Sequence, residues 1–195
     1  MENIFGGIAT ILGIIGAAAY IKDAYHRKTL PHRVAWFIFL ILSIISFISQ
    51  VELGAKASLF YAGWFVINNI IIVSLSLRKN AGYGGIEKGN IAGFTLAIIG
   101  IILWQVFSSP LLALLSVLVA DSIGALMILI KSYKYPETET ITMWCLGIVA
   151  SIFSMFSVGK LDFALLAYPI YLFVASSLIV VAIIIGKRGL KKNTH

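Results

Sequence analysis

Hydrophobic residues occur in seven long runs along the chain, and the segments between the runs carry most of the charged residues. The runs cover residues 4–21, 33–50, 57–77, 90–107, 111–130, 140–158 and 163–185. Each has about the 17–25 mostly apolar residues that a helix needs to cross about 30 Å of hydrocarbon. Because backbone groups in lipid must be hydrogen-bonded within the protein, the pattern predicts seven transmembrane α-helices. Runs this long and continuous are not typical of barrel strands.

The composition agrees with lipid as the surrounding solvent. Of the 195 residues, 60% are hydrophobic and 12% are charged, whereas soluble domains have about 45–50% and about 25%. The net charge of +7 is, by itself, compatible with nucleic-acid binding. The basic residues, however, lie in short clusters between apolar runs, as membrane anchors do. We therefore expect the lipid bilayer, and not nucleic acid, to be the main partner.

The basic residues also orient the chain. Of the 15 Lys and Arg residues, all but Lys56 and Lys160 fall after helices 1, 3 and 5 or in the carboxyl-terminal tail. The side of a membrane protein that is richer in Lys and Arg is normally cytoplasmic. The distribution predicts an integral protein of the inner or plasma membrane, with its amino terminus outside and its carboxyl terminus in the cytoplasm. An even number of spans would break this alternation.

The sequence also contains an internal repeat. When it is shifted by 108 residues without gaps, matching residues recur from Ile15 to Lys79. The informative matches are Tyr25 with Tyr133, Trp36 with Trp144, and Ser43, Ser46 and Ser49 with Ser151, Ser154 and Ser157. Helices 1–3 are therefore expected to repeat as helices 5–7, both starting outside, as parallel repeats about the membrane normal. The predicted division is residues 1–80 and 111–195 for the two three-helix repeats, with 81–110 as the linker helix 4.

This 3+1+3 layout with an outside amino terminus resembles the SWEET/PQ-loop superfamily of sugar and small-solute carriers and, more distantly, the PnuC-type vitamin transporters. The resemblance covers the whole chain and rests on architecture, since the sequence contains no Pro-Gln dipeptide. In SWEET carriers, asparagines of the third and seventh helices and an aromatic residue of the sixth line the solute pocket. The resemblance implies this role for Asn68 or Asn69, for Ser176 or Ser177, and for Trp144.

Asp121 lies near the centre of the fifth predicted span. A carboxylate at that depth costs about 2.5–3.5 kcal/mol on insertion scales, and no Lys or Arg is expected at the same depth. One interpretation is a site that couples a proton, binds a cation or contacts the solute. The other is a structural carboxyl group that is hydrogen-bonded to a neighbouring helix.

Asn68 and Asn69 are adjacent, and adjacent residues lie about 100° apart around a helix. We therefore expect one to line a solute site while the other bonds to a neighbouring helix. The alternative for both is interhelical hydrogen bonding, worth about 0.6–2 kcal/mol in membranes. Trp144 also fits the aromatic belt at a membrane interface.

These features predict a transporter or facilitator of a small polar solute, with a polar site at the midplane between the two repeats. The alternative is a non-transporting membrane receptor or interaction protein on the same fold. An enzyme is not expected, because the spans contain one carboxylate and no His, and for the same reason we expect no metal and no cofactor. Cys145 is the single cysteine and is expected to be a buried apolar residue. The sequence is compatible with a homo-oligomer.

Overall fold

The computed structural model describes residues 1–52, 58–85, 87–106, 110–159 and 163–192. They form seven α-helices: α1 (Glu2–Tyr25), α2 (Arg33–Glu52), α3 (Ser58–Ser76), α4 (Lys88–Val106), α5 (Pro110–Lys134), α6 (Ile141–Ser157) and α7 (Phe163–Lys192). A turn of 3-10 helix, Pro136–Thr138, joins α5 to α6. No β-strand occurs in these ranges, so the predicted all-α fold with seven helices is confirmed. Lys56 and Lys160, expected in outer loops, lie outside the described residues.

Three segments are long and apolar enough to cross a membrane: Glu2–Tyr25, Leu115–Lys134 and Leu165–Leu190. The apolar parts described for α2, α3, α4 and α6 are shorter, at 10–17 residues. The helices α1, α5 and α7 extend to residues 25, 134 and 192, beyond the ends of their apolar runs. A helix is defined by its backbone hydrogen bonds, so these helices continue past the point where their side chains cease to be apolar. Basic residues in the last turns of α1 and α5 complement the negative end of the helix dipole.

The helices form two compact units, of which the first consists of Met1–Thr29 and Ile128–His195. It contains α1, α6, α7 and the last turns of α5. The helices α1 and α6 are antiparallel, because Gly6 lies against Ser157 whereas Gly16 lies against Met143. A Cβ on Gly16 would be 3.4 Å from the Met143 carbonyl oxygen. Glycine at this position therefore lets the two backbones approach closely, as small residues do in membrane helix pairs.

The second unit, Leu30–Met127, contains α2, α3, α4 and the larger part of α5. Its buried core joins α2, α4 and α5 through Ile38, Leu42, Ala97 and Ala120. The helices α2 and α3 are antiparallel, because Gly63 lies beside the Phe47 ring whereas Arg33, at the other end of α2, bonds to Ser76. The core of this unit is thus built from aliphatic side chains and alanines on three helices.

The two units do not follow the sequence repeat. Contacts place α1 in one unit with α6 and α7, whereas the repeat pairs helices 1–3 with helices 5–7. A repeat relates two stretches of sequence, and it does not determine which helices pack together. The division into residues 1–80, 81–110 and 111–195 stays a prediction.

Apolar side chains cover much of the outer surface, while several polar side chains are buried. Ile67, Ile99 and Val181 are 52%, 46% and 48% exposed, whereas Asn68 and Asn69 are 2% and 0% exposed. Buried polar groups and large exposed apolar areas are the informative departures from a soluble fold.

Cys145 is exposed on α6. The prediction that this cysteine is buried is therefore wrong. Apolar neighbours in the sequence indicate a hydrophobic helix, but they do not indicate which face of that helix is covered by other helices.

Candidate functional site

Two adjacent asparagines form the most unusual polar feature of the second unit. Asn68 and Asn69 are buried in the middle of α3. Asn69 Nδ2 donates a hydrogen bond to the backbone oxygen of Phe39 on α2, at 3.3 Å. The side-chain oxygens of both asparagines are buried and accept no hydrogen bond. Because an unsatisfied buried acceptor costs about 1–3 kcal/mol, this pair calls for a physical explanation.

The burial of this pair follows from the position of α3 in the unit. Among the α3 side chains whose burial is described, from Gly63 onwards, the buried ones form one stripe and are Asn68, Asn69, Ile72, Val73 and Ser76. Spacings of three to four residues place these side chains on one face. Phe65, Ile67 and Leu77 point away from this stripe and are exposed. The polar pair therefore lies on the inner face of α3, where apolar residues would normally be expected.

Asp121 lies on α5 in the same unit, where it is half-buried and interacts with its surroundings. Gly124, one helical turn later, lies against the ring of Phe39. If residue 124 had a Cβ, that atom would lie 2.6 Å from Phe39 Cε1. Phe39 therefore contacts α5 through its ring and Asn69 through its carbonyl oxygen. In this way the structure brings the Asn69 side chain and the α5 turn beyond Asp121 to the same residue of α2.

Ser176, Ser177 and Trp144 belong to the first unit. Ser176 is buried, at 6% exposure, and its Oγ lies 3.1 Å from where a Cβ on Gly147 would be. Ser177 is half-buried. The close approach of α6 and α7 at Gly147 thus places the Ser176 hydroxyl between these two helices.

Trp144 lies about one helical turn before Gly147 and is half-buried. Its Nε1 donates to Glu139 Oε1 at 3.2 Å. The polar edge of this indole is therefore bonded to the segment that leads into α6. The Ser176 hydroxyl of α7 lies beside α6 about one turn further on, at Gly147. The role of Trp144 as a solute contact stays a prediction.

Glu139 belongs to a buried ion pair that the sequence analysis missed. Lys131 Nζ lies 2.7 Å from Glu139 Oε2, and both side chains have 0% exposure. The same Nζ donates to the carbonyl oxygen of Thr138 at 2.6 Å. The sequence places Lys131 among basic anchors at a helix end, and only the fold of the connection at Pro136–Thr138 returns Glu139 to it. The sequence contains one hint of this ion pair. The acidic residue Glu139 lies between Lys131, near a helix end, and Trp144, in the next helix.

A second polar cluster joins the end of α1 to the start of α6. Thr140 Oγ1 donates to Asp23 Oδ2 at 3.0 Å, and the hydroxyl groups of Thr29 and Thr140 are hydrogen-bonded to each other. Both threonines are buried, at 1% and 4% exposure. Residues far apart in the sequence are thus fixed together at one end of the first unit.

In the part of the chain that the structure describes, no three His, Cys, Asp or Glu side chains come together as a metal site. The candidate site groups that the sequence analysis identified in the second unit are the carboxamides of Asn68 and Asn69 and the half-buried carboxyl group of Asp121. Such groups bind through hydrogen bonds.

No family profile, characterised protein or solved structure is significantly similar to this chain. The resemblance of the layout to the SWEET/PQ-loop superfamily stays a prediction.

Proposed function

We propose that this chain is an integral membrane carrier for a small polar solute. Two observations support the membrane location. Three helices are long and apolar enough to cross a membrane, and large apolar side chains are exposed on the helices of both units. We assign seven spans to α1–α7 because each occupies one of the apolar runs of the sequence. The distribution of Lys and Arg supports an outside amino terminus and a cytoplasmic carboxyl terminus.

The observation that carries the carrier proposal is the pair of unmatched carboxamide oxygens on α3. Asn69 is bonded to α2 through its nitrogen, and this bond gives it a packing role. The oxygen of Asn68 accepts no hydrogen bond although the side chain is 2% exposed. A buried acceptor kept without a donor costs stability, and a solute that donates a hydroxyl or N–H group offsets that cost when it binds.

The chemistry of this region favours a neutral or donor-rich solute over an anion. Asn68 Oδ1 is an acceptor, and Asp121, the ionisable site candidate in the same unit, is acidic. The third-helix asparagine is also the position that the SWEET/PQ-loop resemblance implies for solute contact. In this proposal Asn68 binds the solute, Asn69 holds α3 against α2, and Asp121 couples a proton.

A thermal-shift screen of the purified protein in detergent tests the binding step. Sugars, nucleosides, vitamins and amino acids are added in turn. A ligand at one hundred times its dissociation constant stabilises the folded state by about 2.7 kcal/mol. For a chain of this length that corresponds to about 5–10 °C in Tm.

The variant Asn68→Leu keeps the branching of the side chain and removes its polar atoms. We expect it to lose the solute-dependent shift, whereas Asn3→Leu, in the exposed first turn of α1, keeps it. A shift that survives in Asn68→Leu, or no shift with any solute class in well-folded protein, contradicts the proposal. Uptake by proteoliposomes then separates transport from binding, because a receptor on the same fold binds the solute without moving it.

The orientation has its own test. In a Cys145→Ser background, a membrane-impermeant maleimide added to intact cells should label Asn3→Cys and should leave Lys28→Cys unlabelled. The reverse labelling would show that the amino terminus is cytoplasmic.

A further inference from the structure

A cleft of about 360 Å³ lies between α2, α3 and α4 of the second unit. Its apolar walls are formed by Val34, Phe37, Val73, Leu77, Ile91 and Phe94. Phe37, Leu77 and Ile91 are 44%, 68% and 48% exposed, so the cleft is open along its side. An open apolar groove between membrane helices has the shape that accepts an extended hydrocarbon chain.

At one end of the cleft, where α2 and α4 begin and α3 ends, Arg33, Ser76, Gly85 and Asn90 complete the lining. Arg33 Nε donates to the Ser76 carbonyl oxygen at 3.0 Å, and one of its terminal nitrogens donates to the Gly84 carbonyl oxygen at 2.6 Å. A guanidinium group has five N–H donors. Two bonds to backbone oxygens account for two of these donors and fix the plane of the guanidinium group beside the cleft.

The backbone around this arginine is also held in place. Arg33 N donates to the Tyr83 oxygen at 3.0 Å, and Tyr83 N donates to the Pro31 oxygen at 2.9 Å. Asn90 Nδ2 donates to the Gly85 oxygen at 3.0 Å. These bonds tie the start of α2 to the connection between α3 and α4. Hydrogen bonds to the backbone therefore hold the Arg33 and Asn90 side chains in place at this end of the cleft.

We propose that this cleft binds an anionic phospholipid, with the phosphate at Arg33 and Asn90 and an acyl chain along Phe37 and Phe94. No acidic residue lines the cleft among the described residues. The same connection carries the exposed basic residues Arg78, Lys79 and Lys88, with Glu87 as its only acid. This inference rests on the proposed membrane location, which puts this end in the cytoplasmic leaflet, where anionic lipids attract basic segments.

Charge and apolar surface occur together here, and this combination favours a lipid over a soluble phosphate. Arginine binds phosphate through paired N–H donors, but that contact involves only the end of the cleft at Arg33. The apolar walls gain a partner only when the phosphate carries a hydrocarbon chain. A soluble phosphate ester would leave most of the cleft without a contact.

Native mass spectrometry of the purified protein tests the inference, with palmitoyl-oleoyl phosphatidylglycerol and palmitoyl-oleoyl phosphatidylcholine as the two probes. We expect tighter binding of phosphatidylglycerol by about tenfold, the scale of one charge-assisted contact. Val34→Trp fills the cleft and should reduce phosphatidylglycerol binding by about tenfold or more, while Arg33 remains in place. Lys28→Gln removes an exposed charge from the first unit and should bind both lipids as the wild type does.

The variant Arg33→Gln should remove the preference between the two lipids, and Val34→Trp decides the question if Arg33→Gln does not fold. Equal binding of the two lipids by the wild type overturns the inference, and so does unchanged phosphatidylglycerol binding by Val34→Trp. Competition by glycerol 3-phosphate as effective as that by the lipid overturns it in favour of a soluble-phosphate site. A solute-dependent thermal shift that persists while lipid preference is absent shows that the carrier proposal stands without this one.

Discussion

The buried ion pair of the first unit gives the sharpest prediction for stability. Lys131→Met replaces the ammonium group by an apolar group of similar length. Glu139 then stays buried, with its Oε1 still accepting from Trp144 Nε1 at 3.2 Å but without its cation. The carbonyl oxygen of Thr138 loses the same donor. The variant therefore strands one charge and one backbone acceptor at the same place.

The magnitude follows from the full burial of both partners. Removing one member of a buried pair costs about 3–5 kcal/mol, because the other charge is left unpaired. For a chain of this size each kcal/mol lowers Tm by about 2–4 °C, so Lys131→Met should unfold about 6–20 °C earlier. The assay is thermal unfolding in detergent, followed by circular dichroism. Because Glu139→Gln keeps an oxygen for Trp144 and removes the charge, the double variant with Lys131→Met should recover at least half of the loss.

The chain supplies a matched control in a second, exposed pair. Lys187 Nζ lies 3.8 Å from Glu137 Oε2, and these side chains are 43% and 69% exposed. An exposed pair contributes about 0–1 kcal/mol, so Lys187→Met should change Tm by less than about 4 °C. If Lys131→Met behaves like this control, or if the double variant is no more stable than Lys131→Met, the reasoning from buried charge is refuted.

Two further variants test packing and the cost of the candidate site by the same thermal measurement. A Cβ on Gly186 would clash with the Tyr133 carbonyl oxygen, so Gly186→Ala should lower Tm by several degrees. Gly189→Ala, with open space around it, should raise Tm slightly, because alanine favours helix over glycine by about 1 kcal/mol. Equal effects of the two substitutions would show that the close approach at Gly186 is absent. Asn68→Leu should raise the solute-free Tm, because it removes an unmatched acceptor that costs about 1–3 kcal/mol. A lower Tm in Asn68→Leu would show instead that the Asn68 side chain makes a hydrogen bond that stabilises the fold.

The sequence was sufficient to predict where the helices lie. Each apolar run corresponds to one helix, as the length of the runs predicts. The ends were less accurate on the basic side, where α7 continues to Lys192 and not only to residue 185. Hydropathy marks the apolar stretch, whereas a helix extends as long as its backbone bonds continue.

The candidate site was predictable only where one residue was unusual by itself. Asn68 and Asn69 stand out in an apolar run, and the expectation that one of them bonds to a neighbouring helix matches the Asn69 bond to Phe39. The Lys131–Glu139 pair could not be found in this way, because each member is ordinary in a loop. Their pairing depends on a short connection whose fold determines the contact, and no periodic pattern reports it. The exposure of Cys145 was missed for a related reason, since packing partners decide which face of α6 is covered.

The bond between Thr140 and Asp23 spans 117 residues of sequence, and this separation has a consequence for synthesis. Because α1 ends at Tyr25 and α6 ends at Ser157, the ribosome needs about 7–26 s to complete α6 after α1, at about 5–20 residues per second. During that interval Gly6 and Gly16 lack the α6 residues that they lie against in the folded chain, and the Asp23 carboxylate cannot yet accept from Thr140. Within the first unit, α1 is thus made well before the helix that it contacts, α6. A substitution on its Gly16 face would therefore show its effect in the yield of assembled protein before it shows in the stability of the finished fold.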